Sequence, residues 1–287
     1  MPQRIDLVSG IKIRWITTNC FEIVLPNGKV ILTDPYITGS PNKNFSVSEV
    51  MGADYMLISH IHFDHVNDVK EIAKKFKSQV FVGDLSAVEL CKLCDLPAER
   101  ICLMRGGEKF EFEDCTLEAI STRHVVLPPD GTRFANHPEL ALLNKKLKRP
   151  PAEEIPYWYG CLEQLNYLVT AKDGTTILLW GGQATEDQCN KLRGLKPTIA
   201  IIQATGNLPA KISKLVGAIG PQIAIPHHHD FLEILVEFGL DIPGGLNAAV
   251  LINELAACIA ADAPDTKFLE LKRNSWYEIG TAVKTMD

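Results

Sequence analysis

Ser59-His60-Ile61-His62-Phe63-Asp64-His65 lies between an apolar run, Tyr55 to Ser59, and a stretch from Val66 to Phe76 whose apolar residues recur at helical spacing among lysines. The segment therefore reads as a loop that leaves a strand and enters a helix. Three imidazoles and a carboxylate (His60, His62, Asp64 and His65) fall within it. Neutral imidazoles and carboxylates hold zinc-like divalent ions, and a catalytic site of this kind keeps one coordination position open for water. His60 and His62, one residue apart at a strand end, are placed to reach one ion, whereas Asp64 and His65 point round the loop to a neighbouring position. A metal-binding loop is the expectation.

Working back toward the N-terminus, Ile11 to Thr17, Cys20 to Leu25 and Lys29 to Thr33 read as strands, with Asn27-Gly28 supplying a hairpin signal between the last two. Working forward, strands are expected at Gln79 to Val82, Lys109 to Phe112 and Cys115 to Ser121, with a helix from Ser86 to Cys94. His124 falls just past the last of these strands. From 125 to 159 the pattern fails: Pro128-Pro129-Asp130-Gly131 makes a turn, 145 to 149 is basic, and Pro150, Pro151 and Pro156 break the remainder. A domain linker and a surface insertion are both open here; the insertion is preferred, because the strand-and-helix alternation resumes afterwards without a change of composition.

In the second half, Leu162 to Thr170, Thr175 to Trp180, Thr198 to Gln203 and Gln222 to Ile225 read as strands. Helices are expected near Glu186 to Arg193, Pro209 to Ile219, Phe231 to Phe238 and Leu246 to Ala261, and short strands near Phe268 to Leu271 and Ser275 to Ile279. Two similar halves of sheet and helix would pack as an α/β four-layer αββα sandwich, here taken as a single domain over 1–287.

With 46% hydrophobic and 22% charged residues the 287-residue chain has the composition of an ordinary globular protein. Its formal charge of -6 lacks the cationic excess that phosphate-backbone binding needs, so nucleic acid is not an expected partner. No apolar run reaches the roughly 18 to 20 residues that cross a bilayer and none follows a basic leader, so a cytoplasmic protein without a membrane partner is expected. The eight cysteines are scattered through apolar segments, which suits reduced thiols, and Cys91-Lys-Leu-Cys94 lacks the second pair or downstream histidine of a metal clip.

His60-Ile-His62-Phe-Asp64-His65 resembles the His-x-His-x-Asp-His signature of the metallo-β-lactamase superfamily. The likeness extends to Ile31-Leu32-Thr33-Asp34-Pro35, to Gly107-Glu108 followed by Thr122-Arg123-His124, and to Ile225-Pro226-His227-His228. It covers roughly residues 11 to 230 and is nearest to the lactonase-like branch that includes ascorbate 6-phosphate lactonase. The resemblance implies a metallo-β-lactamase fold and a first metal on His60, His62 and His124. It implies a second on Asp64, His65 and His228, the choice of His228 over His227 and His229 resting on the family's Pro-x-His spacing. Asp34 would orient one imidazole from behind through its distal nitrogen. His227, His229 and Arg133 are candidate substrate contacts.

The superfamily's bridging aspartate is missing. In Leu178-Leu179-Trp180-Gly181-Gly182-Gln183-Ala184 its position falls on Gln183 or Gly182, and a neutral amide does not offset the repulsion between two cations. The second ion is therefore expected to be weakly held, with one or two divalent ions in all, zinc first and manganese as the alternative, unless Glu186 or Asp187 compensates. The expected activity is hydrolysis of a small lactone, ester, amide or phosphoester by a metal-activated water, with Asp64 handling that water. The alternative is a degenerate metalloprotein of the same fold that binds a ligand without turning it over. A nuclease would need a basic groove, and a di-iron redox enzyme a carboxylate-rich site and a flavin partner. Neither is visible in the sequence.

Overall fold

The computed structural model describes residues 10–124, 163–237 and 246–280, and in these the strands pair into two sheets of seven. The first sheet runs β14 (Trp276–Ile279), β1 (Ile11–Thr17), β2 (Cys20–Val24), β3 (Val30–Thr33), β4 (Tyr55–Leu57), β5 (Gln79–Gly83) and β6 (Ile101–Met104). The second runs β13 (Lys267–Phe268), β12 (Ile223–His227), β11 (Ile199–Gln203), β10 (Thr176–Trp180), β9 (Glu163–Ala171), β8 (Cys115–Arg123) and β7 (Lys109–Glu111). Seven α-helices are described: α1 (Phe63–Val66), α2 (Val69–Phe76), α3 (Asp84–Cys94), α4 (Glu186–Leu192), α5 (Pro209–Ile219), α6 (Phe231–Glu237) and α7 (Ala248–Asp262).

Strand side chains alternate between faces, so each sheet has two apolar faces to cover. Three separate apolar clusters show how they are covered. Ile13, Ile23, Ile31 and Phe81 of the first sheet meet Leu117, Val169, Ile177 and Ile201 of the second, which fills the space between the sheets. Leu32, Met56 and Val80, on the other face of the first sheet, pack under Val69, Ile72 and Leu90 of α2 and α3. Leu178, Ala200 and Ile202, on the outer face of the second, pack under Leu215, Val216, Leu255 and Ile259 of α5 and α7. Three apolar interfaces separate four layers, the αββα sandwich expected from the sequence.

Three features depart from the sequence reading. The edge strand β6 was not anticipated; it is only partly buried, with Leu103 pointing to solvent, and its pairing with β5 is what makes it a strand. The two halves do not correspond to two sheets, because β7 and β8 already belong to the second sheet while β14 returns to pair antiparallel with β1. The expected strand from Phe268 to Leu271 shrinks to Lys267–Phe268, beside β12. The expected insertion at 125–159, with Arg133 and the basic run, lies outside the described residues.

Strand direction places the site. β3, β4 and β5 run parallel, as do β10, β11 and β12, so their carboxyl ends gather at one end of each sheet. β8 runs antiparallel to β9, which runs antiparallel to β10, so β8 ends on that same side. Asp34, the His60 loop, His124, the Gly181 loop, Thr205 and His228 all follow directly from these strand ends.

Candidate metal centre

The helix α1 begins at Phe63 with extended His62 just before it, so the chain turns within the motif and carries Asp64 and His65 onto the first helical turn. That turn divides the ligand-type residues into two groups. His60, His62 and His124 present ring nitrogens within 4.8 Å of one another, and Asp64, His65 and His228 do the same with a carboxylate oxygen and two imidazoles. In the first group His60 Nε2 lies 3.0 Å from His62 Nδ1, and the His124 ring is 4.6 and 4.5 Å from those of His60 and His62. In the second, Asp64 Oδ2 lies 3.2 Å from His228 Nε2 and 3.5 Å from His65 Nε2, and those two nitrogens are 3.2 Å apart. A tetrahedral ion with bonds of about 2.1 Å separates its donors by about 3.4 Å, so both groups fit a zinc-sized cation. The groups adjoin, with the rings of His60 and His65 3.9 Å apart.

Buried carboxylates and hydroxyls fix which ring nitrogens face inward. Asp34, fully buried at the end of β3, accepts from the Ser59 backbone at 2.7 Å, from the Ser59 hydroxyl at 2.5 Å and from Asn19, and its Oδ2 lies 2.7 Å from His65 Nδ1. The His65 Nδ1 proton therefore points at Asp34, leaving Nε2 free as a lone pair. Thr205 does the same for His228, its hydroxyl 3.0 Å from Nδ1. Backbone strain accompanies this arrangement: Asp34 and His228 hold φ values of +34° and +64°, a region that non-glycine residues adopt at a cost.

Electrostatics suit a cation. Burial, followed by the neighbouring imidazoles, holds His60 well below the ordinary histidine value, and burial with His124 beside it lowers His62 to about 3. Burial opposes ionisation of Asp64, but His65 and His228 outweigh it and keep the group below the usual carboxylate range. Burial likewise opposes charge on His65, and Asp64 with Asp34 overcomes it, raising that imidazole's value. At neutral pH His60 and His62 are thus unprotonated imidazoles and Asp64 is an anion, the forms in which these side chains bind metal. His62 Nε2 is buried with no hydrogen-bond partner among the described residues.

The position where a bridging carboxylate was looked for is differently built. Gly182 has φ +99°, a left-handed turn that glycine adopts freely. The loop is caged by amides: Gly181 donates to Asn166 at 2.8 Å, Gly182 to Gln203 at 3.0 Å, and Asn207 bonds both Gly182 O and Ala184 N. Gln183 Nε2 donates to the His124 carbonyl at 3.0 Å, and its backbone N–H to Arg123 at 3.0 Å. Gln183 therefore secures the strand end that carries a candidate ligand. Among the described residues no Asp or Glu is common to the two groups. Glu186 and Asp187 are exposed on α4, with Asp187 paired to Lys191 at 2.9 Å, so compensation by either is corrected by the geometry.

His227 and His229 flank His228, and both are buried, each with an Nδ1 that has no hydrogen-bond partner among the described residues. His227, 1% exposed, bonds Trp180 O through Nε2 at 3.1 Å, and its burial, with His228 nearby, holds it well below the ordinary histidine value. His229 packs its ring against Trp15 at 4.8 Å, and burial lowers it to about 4. Thr205 and Asn207 were missed from the sequence, although both lie in the loop after β11, whose parallel neighbour β12 leads directly into His228.

The sequence profile of the beta-lactamase superfamily domain matches residues 12–228. A protein named metal-dependent hydrolase from Thermoplasma volcanium is 26% identical over 235 residues, covering 78% of this chain and 99% of its own. Another so named, from Koribacter versatilis, is 42% identical over 73 residues, and the match spans 25% of this chain and only 31% of that protein. In structure, a metallo hydrolase from the archaeon Ignicoccus hospitalis superposes with a TM-score of 0.63 at 13% identity, covering 96% of this chain and 100% of that one, a likeness of fold. With the profile spanning most of the sequence and both ligand groups, the chain belongs to the beta-lactamase superfamily.

Proposed function

We propose that this chain is a metal-dependent hydrolase that acts on a small lactone, ester, amide or phosphoester. The observation that carries this reading is the pair of adjoining three-donor groups, His60, His62, His124 and Asp64, His65, His228, at the end of the sandwich where the parallel strands and the antiparallel β8 finish. The names of the relatives support it at the level of metal-dependent hydrolysis. The likeness of the motifs to the lactonase-like branch favours a lactone or related ester among the candidates.

The two groups would hold zinc, or manganese in its place, the histidine group more tightly than the group containing Asp64. Such an ion supplies Lewis-acid polarisation and a water that loses its proton near neutral pH. Asp64 acts chiefly as an anionic ligand and orienter, because a carboxylate held this low is a weak proton acceptor. Asp34 and Thr205 keep the rings of His65 and His228 turned toward the reaction.

The test is metal content of the full chain purified without chelator, followed by turnover of a lactone, ester and phosphodiester panel, with His62→Ala as control. Bound metal with His62-dependent turnover of at least one substrate is expected; His62→Ala, which removes a ligand itself, is expected to lose metal and about 100-fold or more in rate, beyond the roughly 10- to 100-fold cost of losing only a partner behind a ligand. Turnover unaffected by His62→Ala and by chelation would refute the hydrolase reading. Gln183 gives a second reading some footing, since it is bonded to His124 where a carboxylate was looked for. Retained metal without turnover on any substrate would identify a ligand-binding protein on a hydrolase scaffold.

A further inference from the structure

Asp64 follows the first sheet and His228 the second, so an ion between them requires that the two sheets hold their strand ends at one fixed separation. One residue touches the backbone of both. Thr18, in the tight turn between β1 and β2, accepts from the His228 N–H through its carbonyl at 3.1 Å and donates from its hydroxyl to the Asp64 carbonyl at 3.2 Å. It does so from a left-handed conformation, φ +41°, which a threonine holds only when its surroundings over-determine it.

Asp230 supplies that over-determination. Its carboxylate, 0% exposed, takes the Thr18 N–H on both oxygens, at 3.1 and 2.9 Å, and the Thr17 hydroxyl at 2.9 Å. Arg273, arriving from the loop before β14, pairs with the same carboxylate at 3.1 Å and lies over the Trp15 ring. Trp15 Nε1 in turn donates to Thr18 O at 3.1 Å. The turn is thus clamped from the C-terminal side of the chain while it holds the two ligand-bearing segments.

We propose that Thr18, clamped by Asp230, is a positioning residue that sets the spacing of Asp64 and His228 and thereby the affinity of the second metal position. This rests on the reading that Asp64, His65 and His228 hold an ion. The geometry makes the prediction selective, because neither Thr18 nor Asp230 bonds His60, His62 or His124.

The experiment is zinc titration of the metal-free full chain by calorimetry, with bound zinc counted by equilibrium dialysis up to millimolar zinc. His228→Ala and His62→Ala first assign each equivalent to its group. Thr18→Ala is then expected to weaken the equivalent that His228→Ala abolishes by about 10-fold or more, to leave the other within about twofold, and to be rescued by Thr18→Ser. Asp230→Asn is expected to have the same selectivity with a larger effect; if it does not fold, the Thr18→Ala and Thr18→Ser pair decides alone. Equal weakening of both equivalents, no weakening, or absence of rescue by serine overturns the brace. Loss of no equivalent in His228→Ala overturns the reading beneath it, and that outcome is distinct from any result at Thr18.

Discussion

Gln183 shows how a single side chain redirects a site. A carboxylate in its place would present only acceptors to the His124 carbonyl, whereas the amide presents a proton. Gln183→Glu is therefore expected to destabilise the metal-free protein by about 1–3 kcal/mol, the cost of leaving a partly buried carbonyl facing an acceptor. Urea unfolding of the metal-free variant checks this; an unchanged midpoint would mean that the amide contributes nothing to holding His124. At the same scale Asp34 was legible in advance through the resemblance of Ile31 to Pro35 to a family strand end, together with the need of a metal-bound imidazole for an acceptor on its distal nitrogen. Its four donors were not, since Asn19, Ser59 and His65 meet only after β2, β3 and β4 have paired.

Among the elements, α5 was readable from end to end. Pro209 opens it, Ile212, Leu215, Val216 and Ile219 form its buried face, and Gly220 closes it with φ +69°. Gly217 inside this helix looks like a weak point, since alanine favours a helix by about 1 kcal/mol over glycine. A Cβ there would meet the Asp262 carbonyl of α7 at 2.9 Å, so the glycine exists to let the two helices approach. Gly217→Ala is accordingly expected to lower the thermal midpoint, against the propensity scale. A midpoint that rises would show that α7 shifts without cost. β6 was the element the sequence hid, because a short, half-exposed edge strand carries little alternation of its own and owes its state to the strand beside it.

At the scale of the whole molecule, the gathering of histidines makes stability depend on pH. Burial keeps His62 near 3 and His229 near 4 in the folded chain, and lowers His60 and His227 well below their ordinary value. The unfolded chain takes up these protons at about 6.5, so between that pH and the folded values it binds more protons than the native state. Stability from these four groups is complete above about 6.5 and is lost as pH falls through that window. His65 acts oppositely, its raised value contributing stability at low pH that is lost as pH rises through the folded value, but it is one group against four. The metal-free thermal midpoint is therefore expected to fall between pH 7 and pH 5, and a midpoint that is flat or rises on acidification would contradict the buried neutral state of these rings.

The sequence by itself determined the strand-to-helix loop, the sandwich layering and the four ligand-type residues His60, His62, Asp64 and His65, because local periodicity and spacing are properties of contiguous residues; His124 and His228 joined them only through the resemblance to a known family. The choice of His228 over its neighbours rested on a family spacing alone, and only the tertiary structure supplies its physical reason: the left-handed turn at that residue, bonded to Thr18 and Thr205, aims one ring toward Asp64 and His65. It alone drew Asp230 and Thr18 together from 212 positions apart and sent β14 back to β1. Those contacts join chain ends that no local pattern relates; they form only when both sheets have closed over the shared core, and the spacing of the candidate metal ligands depends on them.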